Sequence, residues 1–272
     1  MVYDTHCHPL LASQKSQDTI LENFFAWWGV YLNTISTNLE DSKRNIELTK
    51  KYPGIFASVG IHPTDTLEYV QDIPWALSFL KKLIQENKEY IVAIGECGLD
   101  YYWIETLSEK YKRSSEDIKK IQKDFFEAHI DLAKELGLPL VIHNRESGED
   151  LFEILQKKDF RNFIFHCFTE NLDYARKLIA FAPDCKLGFG GILTFKSAES
   201  LRKVVREIPL GNIIIETDSP YLTPVPYRGR EENEPLYVQY VLQEIQKVRS
   251  ENPEEIQQVI FQSSIDFFRV KK

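Results

Sequence analysis

Val2-Tyr3-Asp4-Thr5-His6-Cys7-His8 opens the chain as a short run rich in β-branched and aromatic residues. Such a run suits a strand buried on both sides in a parallel sheet. Seven more runs of the same character follow, at 31–37, 55–62, 91–97, 138–143, 162–168, 185–190 and 212–217. Amphipathic stretches predicted as helices separate them, at 16–28, 39–52, 73–87, 115–136, 149–157, 172–182 and 198–207, and two more, 235–249 and 253–270, close the chain. Ser16 offers a cap, Pro74 falls in a first turn where proline is tolerated, and Gly137 stops the longest helix. Strands alternating with helices predict an α/β fold of the (β/α)8 TIM-barrel type rather than a doubly wound open sheet. No Pro/Gly/Ser linker splits residues 1–272, so a single domain is expected.

Composition narrows the function classes. Hydrophobic residues make up 43% of the chain and charged residues 27%, which allows a large core and excludes global disorder. Lys and Arg number 33 against 41 Asp and Glu, a net charge of −8, which argues against a protein that coats polyanions but leaves room for a local basic site. The four cysteines are far apart with no CxxC, and Asp4, His6 and His8 stand where a secretory signal needs its apolar run. A cytoplasmic location with free thiols is therefore expected. The longest uncharged stretch, 23–39, contains Asn33, Thr34, Ser36, Thr37 and Asn38 and is broken by Gly29, so no membrane span is predicted.

The histidines carry the chemical signal. His6 and His8 are two apart on the first strand, which points both imidazoles to one face and Cys7 to the other. His62, Glu96, His143 and His166 fall at or near the ends of the third to sixth runs, and Asp218 follows the eighth. In a parallel barrel these carboxyl-terminal ends converge on one face. Charged groups are costly to bury unless paired or bound to an ion. Leaving His62 aside, four imidazoles and two carboxylates exceed one tetrahedral shell of four ligands. They suit a binuclear centre with metals roughly 3.5–4 Å apart. Glu96 would then bridge, with His6, His8 and Asp218 on one metal and His143 and His166 on the other.

At this point the chain resembles the TatD family of metal-dependent deoxyribonucleases. The matching stretches are Asp4-Thr5-His6-Cys7-His8, Gly60-Ile61-His62-Pro63, Gly95-Glu96-Cys97-Gly98-Leu99-Asp100-Tyr101, Leu138-Pro139-Leu140-Val141-Ile142-His143, His166-Cys167-Phe168 and Glu216-Thr217-Asp218-Ser219-Pro220-Tyr221-Leu222. They occur in the family's order across nearly the whole chain. The resemblance implies an amidohydrolase-type barrel, phosphodiester hydrolysis and a divalent-metal site with His6, His8, Glu96, His143, His166 and Asp218 as ligands. It implies a substrate-side role for His62. Amidohydrolase relatives often bridge their metals with a carbamylated lysine, but the fourth run has no lysine, leaving Glu96 as the expected bridge. One segment departs from the family, whose last loop usually reads Arg-Gly-Lys-x-Asn-x-Pro. Here it reads Arg228-Gly229-Arg230-Glu231-Glu232-Asn233-Glu234-Pro235.

The expected reaction is hydrolysis of a phosphodiester by metal-activated water, with Asp218 as metal ligand and proton acceptor. Two divalent cations are expected, drawn from Mg, Mn or Zn. The expected partner is DNA, as single strands or ends. Arg145, two residues past His143, and Arg228 and Arg230 in the last loop have the guanidinium chemistry to hold phosphate. Tyr101, Tyr102 and Trp103 follow Glu96, and exposed aromatics there can stack a splayed base. Glu216 shares a face with Asp218 and is expected to support a ligand or loop. His129, in mid-helix, reads as structural. Cys7, Cys97 and Cys167 read as core fillers, and Trp27, Trp28 and Trp75 as core. The alternatives are a metal-dependent ester or amide hydrolase, such as one that removes misattached amino acids from transfer RNA, and a non-catalytic metalloprotein.

Overall fold

All eight apolar runs become strands in the computed structural model, which describes residues 1–270. In chain order the elements are β1 (Val2–Cys7), α1 (Gln17–Trp27), β2 (Gly29–Ile35), α2 (Leu39–Lys51), β3 (Ile55–Val59), α3 (Ile73–Glu86), β4 (Ile91–Asp100), α4 (Ile104–Tyr111), α5 (Ser115–Leu136), β5 (Leu140–Arg145), α6 (Gly148–Lys157), β6 (Phe163–Phe165), α7 (Leu172–Phe181), β7 (Lys186–Phe189), α8 (Glu199–Glu207), β8 (Ile213–Ile215), α9 (Val238–Val248) and α10 (Pro253–Phe268). The strands form one sheet in the order β1 to β8, and β1 lies beside β8, which is the topology of a (β/α)8 barrel. Two compact units can be distinguished. The first comprises Met1–Thr34, Tyr52–Phe56 and the residues described from His166 onward; the second comprises Ile35–Lys51 and Ala57–Phe165.

Within the first unit, β1 pairs with β2 in parallel through Tyr3 opposite Tyr31 and Asp4 opposite Leu32, and β7 pairs with β8 through Leu187 opposite Ile213. Within the second, β3, β4, β5 and β6 pair in sequence, again in parallel. Every residue of β1, β4, β6 and β8 is buried, as strands covered on both faces require. Each isoleucine of β8 contributes about 1.5–3 kcal/mol by leaving water. Helix starts are set by side chains that accept an otherwise unpaired backbone N–H: Ser16 from Thr19, Asp72 from Trp75, Ser114 from Asp117 and Asn171 from Tyr174. Gly137 ends α5 in the left-handed conformation, as expected.

Three details differ from the sequence expectation. First, β4 runs on to Asp100, so Glu96 lies inside the strand rather than near its end. The ladder to β5 shifts register between Ile94 and Cys97, and this irregularity breaks the simple alternation. Second, the short helix α4 stands between β4 and α5, with only Ile104 and Leu107 buried. Third, Trp27, Trp28 and Trp75 are not core residues: they are 68%, 58% and 54% exposed. The buried stripe of α1 is Ile20, Leu21 and Phe24, and the helix ends before it reaches another turn. In α3 the stripe is Ala76, Leu77, Leu80 and Ile84, which leaves Trp75 on the flank against Phe79. Among the described residues, no helix is long and apolar enough to cross a membrane.

Candidate metal centre

In the first unit, β1 delivers His6 and His8 with their Nε2 atoms 3.3 Å apart. Asp218 Oδ1 lies 3.6 Å from His6 Nε2 and 3.5 Å from His8 Nε2. Three donor atoms therefore mark the corners of a near-equilateral triangle. Ligands about 2.0–2.1 Å from a tetrahedral cation sit about 3.4 Å from one another. The spacing thus fits a divalent ion, and the donors, two imidazole nitrogens and a carboxylate oxygen, are those such ions take. His166 stacks on His6 with ring centroids 3.9 Å apart, and ligand atoms of His6, His166 and Asp218 all lie within 4.8 Å of one another.

Asp218 is held there by a brace. It has φ +54°, an uncommon conformation for a non-glycine residue. Its backbone N–H donates to the His6 carbonyl at 2.9 Å. The preceding residue, Thr217, donates its N–H (2.9 Å) and its hydroxyl (2.6 Å) to the carboxylate of Asp4, which is wholly buried. Ser219 N–H donates back to the Thr217 hydroxyl at 3.1 Å, and Asn233 donates its amide to the Thr217 carbonyl at 2.8 Å. Burial works against ionising Asp218, but the hydrogen bond from His8 and the neighbouring charges of His6, His166 and His8 outweigh it and hold its pKa below the usual carboxylate range. Burial pushes Asp4 the other way, well above that range, against the hydrogen bonds from Thr217 and His6.

Glu216 is fully buried and accepts the backbone N–H of Cys167. The same oxygen lies 3.7 Å from His166 Nδ1. It thus supports the loop that carries His166. Gly188 makes room for it, since a Cβ there would lie 2.3 Å from Glu216 Oε2.

In the second unit, Glu96 Oε1 lies 2.8 Å from His143 Nδ1 and 3.6 Å from His62 Nε2. The other nitrogen of His143, Nε2, lies 3.0 Å from Asp100 Oδ2. A metal-bound imidazole commonly gives its remaining N–H to a carboxylate, which fixes tautomer and ring orientation. Asp100 fits that role, with Glu96 on the ligand side. For Asp100 too, burial raises the pKa, but the hydrogen bond and charge of His143 outweigh it and lower it. Gly98, at φ +142°, lets β4 approach β5 here, because a Cβ would meet the His143 carbonyl at 2.1 Å.

His62 is arranged differently from the other histidines. The Thr64 backbone N–H reaches its Nδ1 at 3.2 Å, so Nδ1 accepts and the neutral ring keeps its proton on Nε2, toward Glu96. A protonated nitrogen donates and does not ligate, which suits a residue beside the centre. Ligand atoms of His62, Asp100 and His143 lie within 4.8 Å of one another.

The substrate-side candidates are spread more widely. Tyr101 is tied down: its hydroxyl donates to Asp150 at 2.5 Å, and Lys119 lies over its ring at 5.1 Å. Arg145 is exposed and stacks on Tyr102. Arg228 is exposed and lies 3.6 Å over the Phe195 ring; Arg230 is also exposed. The acids of the altered loop face local partners. Glu232 accepts from the N–H and hydroxyl of Ser13 and from Gln14 N–H, Glu234 pairs with Lys15 at 2.9 Å, and Glu231 accepts from the Tyr237 hydroxyl. All four cysteines are free. Cys7 and Cys97 are buried fillers, whereas Cys167, past the end of β6 at φ +45°, is half-buried.

Sequence reasoning missed Asp4, Asp100, Thr217 and Asn233. Asp4 carried a usable signal, since it shares the period-2 face of His6 and His8. Asp100 ended its own run only once the strand was known to extend past Gly98.

Comparison with known proteins places the chain among relatives. A family model described as TatD related DNase matches residues 3–269. The uncharacterized metal-dependent hydrolase YabD of Bacillus subtilis strain 168 is 36% identical over 274 residues, spanning 99% of this chain and 100% of YabD. The uncharacterized metal-dependent hydrolase YcfH of Escherichia coli K12 is 31% identical, spanning 98% of this chain and 95% of YcfH. Among solved structures, YJJV, a TatD homolog from Escherichia coli K12, superposes with a TM-score of 0.86 at 25% identity, over 99% of this chain and 98% of that one.

Proposed function

The chain belongs to the family of TatD-related DNases and is a metal-dependent hydrolase; from that premise we propose that it hydrolyses DNA phosphodiester bonds, taking single strands or ends as an exonuclease, with two divalent cations held by His6, His8, Glu96, His143, His166 and Asp218. The observation that carries the reading is the His6–His8–Asp218 triangle, whose edges of 3.3–3.6 Å match a cation's ligand sphere. Bound divalent cations supply two things to such a reaction: a more acidic water, and neutralisation of charge on the phosphoryl oxygens.

The residues of the chain do the rest. Asp218, with one oxygen within 3.6 Å of both Nε2 atoms of the imidazole pair, takes the proton of the attacking water. The Asp4–Thr217–Ser219 brace keeps that carboxylate aimed. Asp100 keeps the His143 ring in one tautomer. His62, with its Nε2 proton, donates to an oxygen of the substrate. Arg145 and Arg228 hold flanking phosphates through guanidinium forks. Free thiols suit work in a reducing cytosol.

The test is a time course on end-labelled single-stranded DNA. It compares metal-stripped protein, the same protein resupplied with Mg, Mn or Zn, and Asp218→Asn. Cleavage is expected only with metal, and Asp218→Asn should lower it by a factor of about 10²–10⁴. Absence of cleavage with every metal, at confirmed metal content, overturns the reading.

A further inference from the structure

Next to His143 stands a stack of side chains of which the proposed chemistry uses only Arg145. The chain leaves β4 at Asp100 and turns, with the Trp103 N–H donating to Asp100 Oδ1 at 3.3 Å. The other oxygen of Asp100 faces His143 Nε2 at 3.0 Å. One carboxylate therefore anchors both the candidate metal ligand and the aromatic turn. In that turn Tyr102 and Trp103 remain 50% and 41% exposed and meet edge to face at 4.9 Å. Arg145, the last residue of β5, lays its guanidinium 3.8 Å over the Tyr102 ring and 5.8 Å from that of Trp103.

The polar edges of this stack are unspent. Among the described residues, no carboxylate pairs with the Arg145 guanidinium, and neither the Tyr102 hydroxyl nor the Trp103 indole N–H makes a hydrogen bond. The adjoining tyrosine shows the contrast, since Tyr101 gives its hydroxyl to Asp150. Exposed aromatic faces and a guanidinium preset in a plane, with its N–H donors free for phosphate oxygens, are complementary to a nucleotide.

We propose that Tyr102, Trp103 and Arg145 form a binding subsite for an unpaired nucleobase, with the base lying on the aromatic–guanidinium stack and its adjoining phosphate on Arg145. The proposal deepens the nuclease reading and rests on it for the choice of nucleic acid as ligand. It also sets the selectivity. Every base has a face that stacks, so the subsite favours no particular base. A paired base in duplex has both faces covered, so unpaired ends enter and duplex interiors do not.

The test measures binding by fluorescence anisotropy with metal-loaded protein. One labelled probe is an octathymidylate. The other is an octamer of tetrahydrofuran phosphates, equal in length and charge but without bases. Both carry phosphorothioate linkages so that cleavage does not consume them. The wild type should bind the thymidylate about tenfold more tightly. Trp103→Ala or Tyr102→Ala should remove most of that preference, and Trp103→Phe should keep it. Arg145→Gln should weaken both probes, the thymidylate more than the abasic octamer. Equal affinity of the wild type for the two probes, binding of neither, or a preference that survives both alanine variants overturns the subsite. A base preference that stands in a protein unable to cleave DNA keeps the subsite and removes the nuclease reading.

Discussion

His129 yields a pH prediction with a definite sign. It is fully buried on α5, where its Nδ1 contacts the Phe125 carbonyl at 2.7 Å and its Nε2 meets the Ile61 backbone N–H at 3.2 Å. Nε2 must therefore accept, and the ring is neutral with its proton on Nδ1. Burial pushes its pKa from 6.5 down to about 4, against the smaller upward pull of the Phe125 carbonyl. That depression corresponds to about 3–4 kcal/mol at roughly 1.4 kcal/mol per pH unit. The unfolded chain takes up the proton first. The contribution is therefore complete above pH 6.5, falls as the pH drops below it, and is gone once the pH passes about 4. Urea unfolding of wild type and His129→Gln at pH 7.5, 6.5, 5.5 and 4.5 isolates it from other titrating groups. The wild type should be the more stable at pH 7.5, and the gap should shrink by about 2–3 kcal/mol by pH 4.5. Parallel stability curves for the two proteins would refute the neutral, accepting imidazole.

Three further outcomes follow from the site geometry. Chelator-treated protein resupplied with Zn or Mn at about 100 times the Kd should gain about 2.7 kcal/mol, or several degrees in Tm by scanning fluorimetry, and His8→Ala should lose most of that shift. Asp100→Asn should weaken metal binding about 10–100-fold in a competitive chelator titration, and an unchanged affinity would remove it from the support of His143. Thr217→Val leaves Asp4 without the hydroxyl it accepts and should destabilise the fold by about 1–3 kcal/mol in urea, with a larger proportional loss of metal affinity if the brace aims Asp218.

The barrel was legible because its strands are buried on both faces: Ile213–Ile215 and Phe163–Phe165 carry no polar residue to confuse the pattern. The candidate ligands were legible for a related reason, since imidazoles and carboxylates at the ends of such strands have few bland explanations. Reading failed where geometry departs from period and stripe. The register shift in β4 hid Asp100, and the two buried side chains of α4 were too few to announce a helix beside the Tyr101–Trp103 turn. The tryptophans misled because large apolar side chains are usually core, whereas helix length and phase leave these three in water. Which of three adjacent aromatics is free also depends on rotamers: Asp150 claims Tyr101 and leaves Tyr102 and Trp103 exposed.

Charge balance gives an independent reason to place cations in this protein. Glu96, Asp100 and Glu216 are at most 3% exposed, and the Asp218 side chain is 13% exposed. Burying a carboxylate is costly unless its charge is met. Within each unit the ion-pair partners of Glu96, Asp100, Glu216 and Asp218 are histidines. Histidine is charged only if protonated, and imidazole begins to lose its proton near neutrality. An all-protein solution would keep these acids ionised by holding several imidazoles protonated side by side, yet His6 and His8 bring their Nε2 atoms within 3.3 Å of each other, where two protonated rings would repel. Neutral imidazoles around a divalent cation resolve both problems at once. The lone pairs of His6 and His8 then face a positive charge instead of each other, and Asp218 keeps its negative charge.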